Sequence, residues 1–353
     1  MGGHKQSDLL ECTQQLGVMP QQKTPEPAET SFGANNNPAV KRQNAATLHS
    51  CTRGRPSQRG IGMANVLKKE KQLQVVHLLV EGNSIRSIER LTGVQRNTIC
   101  RLLVKVGRAC RELLDERMRD LTLEHVQVDE VWTFVQKKQA RLTLAERTLR
   151  GDIGDMYLWI GLDEQTKLIP SFAVGKRSAD MARRLMVDLR SRLTRKSRDP
   201  NFDRVGFQAV TQISTDGFPA YPEAVDLAFG PFVKFGTIIK DYRNARLPYE
   251  PSEMVGTKRK GIYGIGEDEE RTICTSHVER NNLTIRTFMR RLTRLSLGFS
   301  KKLENLAAAT ALHVAHYNFC RVHGTLGKTP AMAADVTNDV WTLEELYDKA
   351  LAE

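Results

Sequence analysis

Between Lys68 and Glu81 the apolar residues Leu73, Val76, Leu79 and Val80 recur at helical spacing, which predicts a first helix. A Gly82-Asn83 break follows. Ser84 then stands as an N-cap before a short helix through Ile85, Ile88 and Leu91, and a turn at Thr92 and Gly93 leads into another helix through Ile99, Leu102 and Leu103. This is the order of a helix-turn-helix, with residues 108–122 continuing as a charged helix.

Beyond residue 122 the period changes. "HVQVDEVWTFV" alternates and is rich in β-branched and aromatic residues, hence a strand, and "MYLWIGLDEQTKLIPSFAVG" gives two more strands joined by the polar turn Asp163 to Lys167. "SADMARRLMVDLRSRL" reads as an amphipathic helix capped by Ser178. "AVTQISTDG" is a fourth strand ending at an acid and a glycine, "PEAVDLAF" a short helix and "PFVKFGTII" a fifth strand. A polar, glycine-bearing insertion from about Lys240 to Cys274 precedes a basic helical region. The expected fold is therefore mixed α/β, a five-stranded sheet flanked by helices and preceded by an all-α helix-turn-helix domain.

Residues 1–62 are rich in Gln, Asn, Pro, Ser, Thr and Gly, with almost no apolar periodicity, and are expected to be a disordered tail. Met63 opens the first periodic stretch, so a natural start there is one expectation. The DNA-binding helices are expected over 63–120, the α/β domain over 121–335 and a C-terminal helix over 336–353.

Charge narrows the choice of partner. Among 353 residues, 53 Lys and Arg face 41 Asp and Glu, a net charge of +12. Neutralising phosphates with such cations releases condensed counterions, so nucleic acid leads over an anionic membrane. A run of about 18 apolar residues is missing and the N-terminus has no signal-like apolar region, which points to a cytoplasmic chain. The six cysteines are scattered without a C-x-x-C pair and read as reduced thiols rather than a disulfide framework or zinc module. The second helix of the helix-turn-helix would begin with Arg96, Asn97, Thr98 and Arg101, side chains suited to phosphates and base edges in a major groove. A plain three-helix bundle is the alternative.

Three acids stand out by position. Asp129 interrupts the apolar first strand, Asp216 ends the fourth, and Glu279 begins the helix after the fifth, alone among the seven basic residues Arg280, Arg286, Arg290, Arg291, Arg294, Lys301 and Lys302. Pairing of strands one and four would set two carboxylates side by side, with the helix crossing above them. Oxygen-only ligands in a loose cluster suit Mg²⁺ or Mn²⁺, and two such ions can serve an in-line displacement at phosphorus. The plain readings are a turn residue for Asp216 and dipole complementation for Glu279. Glu130 adjoins Asp129 but points to the opposite face of a strand. Arg286 lies seven residues after Glu279 and Asn282 three after it, both on the face of Glu279.

"VDEVWTFV" at Val128, "STDGFPAY" at Ser214 and "HVERNNLTIRTFMRRLTRLSLGFSKKLENL" at His277 resemble the three blocks of the catalytic domain in the insertion-sequence-one family of bacterial transposases. The resemblance runs from about His125 to Leu306. It implies a ribonuclease-H-like fold with a DDE triad, in which Asp129, Asp216 and Glu279 match the catalytic, metal-binding acids and two Mg²⁺ or Mn²⁺ ions are the cofactors. It implies that Arg286 contacts DNA near the scissile phosphate; Asn282, on the face of Glu279, and the basic Arg290 are further DNA-binding candidates read from position and charge. The implied activity is metal-dependent hydrolysis and strand transfer at the terminal inverted repeats of an insertion sequence. The partners are then double-stranded repeat and target DNA, with at least a dimer to pair two ends, in the nucleoid of a bacterial cytoplasm. The chain departs from the family in lacking cysteine pairs ahead of the helix-turn-helix, where members commonly carry a zinc-binding segment. "HYNFCRVHGTLGKTPAMAA" from His316 resembles instead the close of other DDE integrases. Two rival functions remain: a ribonuclease-H-like nuclease or resolvase without strand transfer, and a non-catalytic DNA-binding regulator.

Overall fold

A computed structural model describes residues 66–194, 211–243 and 253–352. The tail expected over 1–62, with the start at Met63, lies outside these residues. Three helices come first: α1 (Lys69–Val80), α2 (Ile85–Thr92) and α3 (Arg96–Arg117). Ser84 caps α2 by accepting a hydrogen bond from the Ser87 amide at 3.0 Å, as its position before Ile85 predicts. Gly93 ends α2 at φ 70°, a left-handed conformation that costs glycine nothing, and its amide closes on the Glu89 carbonyl. Leu91 is exposed, and Thr92 takes the inward place, its hydroxyl donating to the Ile88 carbonyl at 2.7 Å. The helix expected at Ile99 and the charged one expected from 108 are a single 22-residue α3.

The remaining elements are β1 (His125–Val135), α4 (Leu144–Leu149), β2 (Gly154–Asp163), β3 (Ser171–Gly175), α5 (Ala179–Arg192), β4 (Gln212–Asp216), α6 (Tyr221–Phe229), β5 (Lys234–Arg243), β6 (Glu253–Tyr263), α7 (Ser276–Phe288), α8 (Leu303–Phe319), α9 (Pro330–Ala333) and α10 (Leu343–Leu351). The sheet has six strands in the order β3-β2-β1-β4-β5-β6. Strands β1, β2 and β3 are antiparallel neighbours, β4 and β5 run parallel to β1, and β6 returns antiparallel on β5. The sixth strand corrects the five-stranded expectation. It falls in the segment read as a polar insertion because its middle, Thr257 to Lys260, carries no apolar alternation. An edge strand is held by its backbone ladder, and lysines along it discourage pairing with other chains.

Helices α5 and α6 pack together against the sheet, α7 crosses β1 and β2, and α8 lies along α3. One continuous apolar core runs from Val76, Ile88 and Leu103 of the first helices through Val128 and Trp159 of the sheet to Leu312 and Phe319 of α8. A buried arginine fastens α5 to α3: Arg192 donates to both carboxylate oxygens of Asp188 at 2.8 and 2.9 Å and to the Leu114 carbonyl at 3.1 Å. No helix among the described residues is long and apolar enough to cross a membrane.

Candidate active site

Strands β1 and β4 pair in parallel up to Val128 opposite Thr215, so the next residues, Asp129 and Asp216, stand side by side. β4 stops there. β1 runs on to Val135, and one of its edges has no strand partner from Asp129 until Val135 bridges Ser300. Asp129 meets Asn282 of α7, while Glu130 meets Tyr221 of α6, so the two side chains leave β1 on opposite faces as strand alternation requires. The open edge nevertheless lets them converge. Asp129, Glu130 and Asp216 each offer a carboxylate oxygen within 4.8 Å of the others, the cluster able to hold a metal ion among the described residues.

Each acid has a distinct environment. Asp129 accepts from the Glu130 amide at 2.8 Å and from Asn282 Nδ2 at 2.6 Å. Burial pushes its carboxyl up to about 6, helped by the charges of Asp216 and Glu279 and opposed by those hydrogen bonds. Glu130, whose side chain is only 3 % exposed, is pushed up to about 7, first by burial and then by the Asp216 charge. Tyr221 donates to it from a fully buried hydroxyl. Asp216 is more open, and its Oδ1 accepts from the Phe218 amide at 3.0 Å, so the turn role and the site role coexist. Burial and the neighbouring acids both disfavour the ionised forms of Asp129 and Glu130, a penalty that nearby positive charge offsets.

Arg177 supplies some of that charge. Its Nη2 lies 3.3 Å from Glu130 Oε2 and 3.3 Å from Asp216 Oδ2, and its guanidinium stacks 4.3 Å over the Phe218 ring. Lys240 of β5 pairs with Glu279, which also accepts from the Thr275 hydroxyl at 2.5 Å. Glu279 thus stands near the cluster, close enough to raise Asp129, but its carboxylate is turned to Lys240 and outside the group of three.

Gln127 sets the height of α7. It is fully buried, two residues before Asp129 on the same face of β1, and its Oε1 accepts from the His277 and Val278 amides at 2.9 and 3.1 Å. Those are first-turn amides with no partner inside the helix, so a side chain of β1 caps α7 directly above Asp129. Asn282 Oδ1 is buried beside the cluster without a partner.

The other sequence-predicted residues divide into two places. Asn282 belongs to the acidic cluster. Arg286 is half-buried and donates from Nη1 to the Leu292 carbonyl at 3.0 Å; burial and the neighbouring Arg294 lower it to about 10, and Asp129 opposes them. Arg96, Asn97, Arg101 and Arg290 line a separate groove, which Thr98 does not reach. Sequence reasoning missed Arg177 and Gln127 and set Glu130 aside. Gln127 left a faint signal, a polar side chain at an inward position of an apolar strand.

No family model matches the chain, and no curated protein matches its sequence.

Proposed function

We propose that this chain is a DNA transposase of the DDE type, in which Asp129, Glu130 and Asp216 form the metal-binding floor of a phosphodiester-cleaving and joining site. The observation that carries the reading is the side-by-side placement of Asp129 and Asp216 on paired parallel strands, with Glu130 reaching them around the open edge of β1. The donor set fits a hard cation. It is all oxygen, and Asn282, whose Nδ2 holds Asp129, keeps a buried Oδ1 without a partner. Mg²⁺ or Mn²⁺ held there would supply Lewis acidity toward a phosphodiester, and two ions would suit an in-line displacement.

The chain's own residues account for the rest. Asn282 and the Glu130 amide hold Asp129 in one orientation, and Tyr221 does the same for Glu130. Arg177 and Lys240 neutralise the acids and present positive charge where a phosphate would enter. Arg286, two turns beyond Glu279, is the candidate phosphate contact on α7. Helices α2 and α3, read as a helix-turn-helix, would hold the terminal inverted repeats, and the β1–β4 pairing supports a ribonuclease-H-like sheet. Transposition needs hydrolysis at the element's end and then attack by the freed 3′-hydroxyl on target DNA; neither transfer needs a protein nucleophile. Pairing of two ends implies at least a dimer.

A second reading follows from Glu279. The three-carboxylate cluster is complete without it, and a ribonuclease-H-like nuclease that cuts without joining is the alternative that such a site would also serve. Both readings are tested on labelled DNA carrying the element's own ends, with Mg²⁺ and with EDTA, using wild type, Asp216→Asn and Glu279→Gln. Metal-dependent cleavage and joining, lost in Asp216→Asn, is the expected result. Cleavage without joining selects the nuclease. Unchanged activity in Asp216→Asn removes the site.

A further inference from the structure

A groove of about 1150 Å³ runs between the α1–α3 helices and the segment that joins α7 to α8. Six exposed cations edge it: Arg86, Arg96 and Arg101 on one wall, Arg290, Lys301 and Lys302 on the other. Its one acid, Glu304, is already paired with Arg108. Beneath this rim the lining turns apolar and aromatic, with Leu79, Val80, Leu103, Phe288, Phe299 and Leu312. The space exceeds the roughly 300–1,000 Å³ that one small molecule fills.

The floor also holds polar groups without partners. His313 is 5 % exposed and lines the groove, and neither ring nitrogen has a hydrogen-bond partner. Burial lowers it to about 3, so its ring is neutral at physiological pH beneath the groove floor. Arg291 gives Nη1 to the Ser300 hydroxyl at 3.1 Å but leaves a buried Nη2 unpaired.

We propose that this groove binds an unpaired nucleic-acid strand, with phosphates on the cationic rim and bases against the apolar floor. A duplex keeps its base faces stacked inside and shows only phosphates and groove edges; an unpaired strand alone can offer faces to an aromatic floor. The groove is joined to the acidic cluster by α7, which carries Asn282 at the cluster and Phe288 in the groove, roughly 9 Å apart along the helix axis. The Thr133 hydroxyl, four residues after Asp129 on β1, donates to the Arg291 carbonyl at 3.3 Å. The inference rests on the reading of the acidic cluster as a DNA-processing site and assigns the path of a separated strand leading to it.

The test is fluorescence anisotropy with a labelled single strand of about eight nucleotides and its matching duplex, at about 0.1 M salt. Wild type is compared with Lys301→Glu and Lys302→Glu. The expected result is a loss of about tenfold in single-strand affinity for each charge reversal and a smaller loss for the duplex. Single-strand affinity unchanged in both charge reversals, equal losses for strand and duplex, or no binding by wild type would each overturn the inference. If wild type cleaves DNA with metal while the reversals bind the strand normally, the groove fails and the acidic site stands. Strand binding that depends on the rim, in a protein that never cleaves DNA, leaves the groove and removes the other reading.

Discussion

Asn282 donates from Nδ2 to Asp129 Oδ2 at 2.6 Å, fastening α7 to β1 across the acidic site. With the Glu130 amide it is one of two hydrogen bonds that favour the ionised form of a carboxyl that burial pushes up to about 6. Asn282→Ala should cost about 1–3 kcal/mol of stability, since it leaves a buried acceptor of Asp129 short of a donor. It should also weaken Mg²⁺ binding by raising Asp129 further. Urea unfolding and titration calorimetry with Mg²⁺ measure the two effects, and unchanged metal affinity would mean that Asn282 only braces the helix.

Arg177 competes for the same oxygens as a cation, being 3.3 Å from both Glu130 and Asp216. Partly exposed ion pairs are worth about 0.2–1 kcal/mol each, so losing both in Arg177→Gln should tighten Mg²⁺ binding by roughly two- to thirtyfold in calorimetry. Weaker binding in the variant would show that Arg177 supports the metal instead of standing in its place.

Asp129 and Asp216 were legible because an acid at an inward position of an apolar strand breaks its pattern twice, and a strand order with one and four adjacent brings the breaks together. Glu130 was not. Alternation does send it to the far face, toward Tyr221; what brings it back is the early end of β4 at Asp216, a fact about a neighbouring strand's length. Arg177 lies in the β3–α5 connection, where no periodicity says what a side chain will touch, and its partners come from β1 and β4, 47 and 39 residues away in sequence. The sixth strand was hidden for a related reason: the ladder with β5 holds it, and that ladder leaves no trace in side-chain alternation. Helix ends were read well because Ser84 and Ser178 act on amides three residues away, within the reach of local sequence.

Glu130 makes the metal-free protein sensitive to pH. Its carboxyl ordinarily titrates at 4.5 and is pushed up to about 7 here, so the folded state holds a proton that the unfolded state releases. The stability linked to that proton is fully present below about 4.5 and is lost as pH rises through about 7. Glu130→Gln does not titrate and keeps an oxygen for the Tyr221 hydroxyl. In EDTA, the melting temperature of Glu130→Gln minus that of wild type should therefore grow between pH 5 and pH 8. Saturating Mg²⁺ at pH 8 should close the gap by stabilising wild type alone. A difference that stays flat with pH would place the Glu130 titration elsewhere.

Gly107 tests the packing that carries the α3 wall of the basic groove. A β-carbon there would lie 2.3 Å from the Ala308 carbonyl oxygen and 2.6 Å from its Cα, backbone atoms of α8 that cannot swing aside. The two helices approach this closely because glycine in α3 faces alanine in α8. Gly107→Ala raises helix propensity by about 1 kcal/mol in an open site. Here the clash should outweigh that gain, forcing the helices apart at a cost of about 1–3 kcal/mol as in other overpacked cores. The net expectation is a lower melting temperature, with single-strand affinity falling as Arg101 on α3 moves away from Lys301 and Lys302. A more stable Gly107→Ala protein would mean that α3 and α8 can separate freely, and the groove between their ends would then have no fixed width.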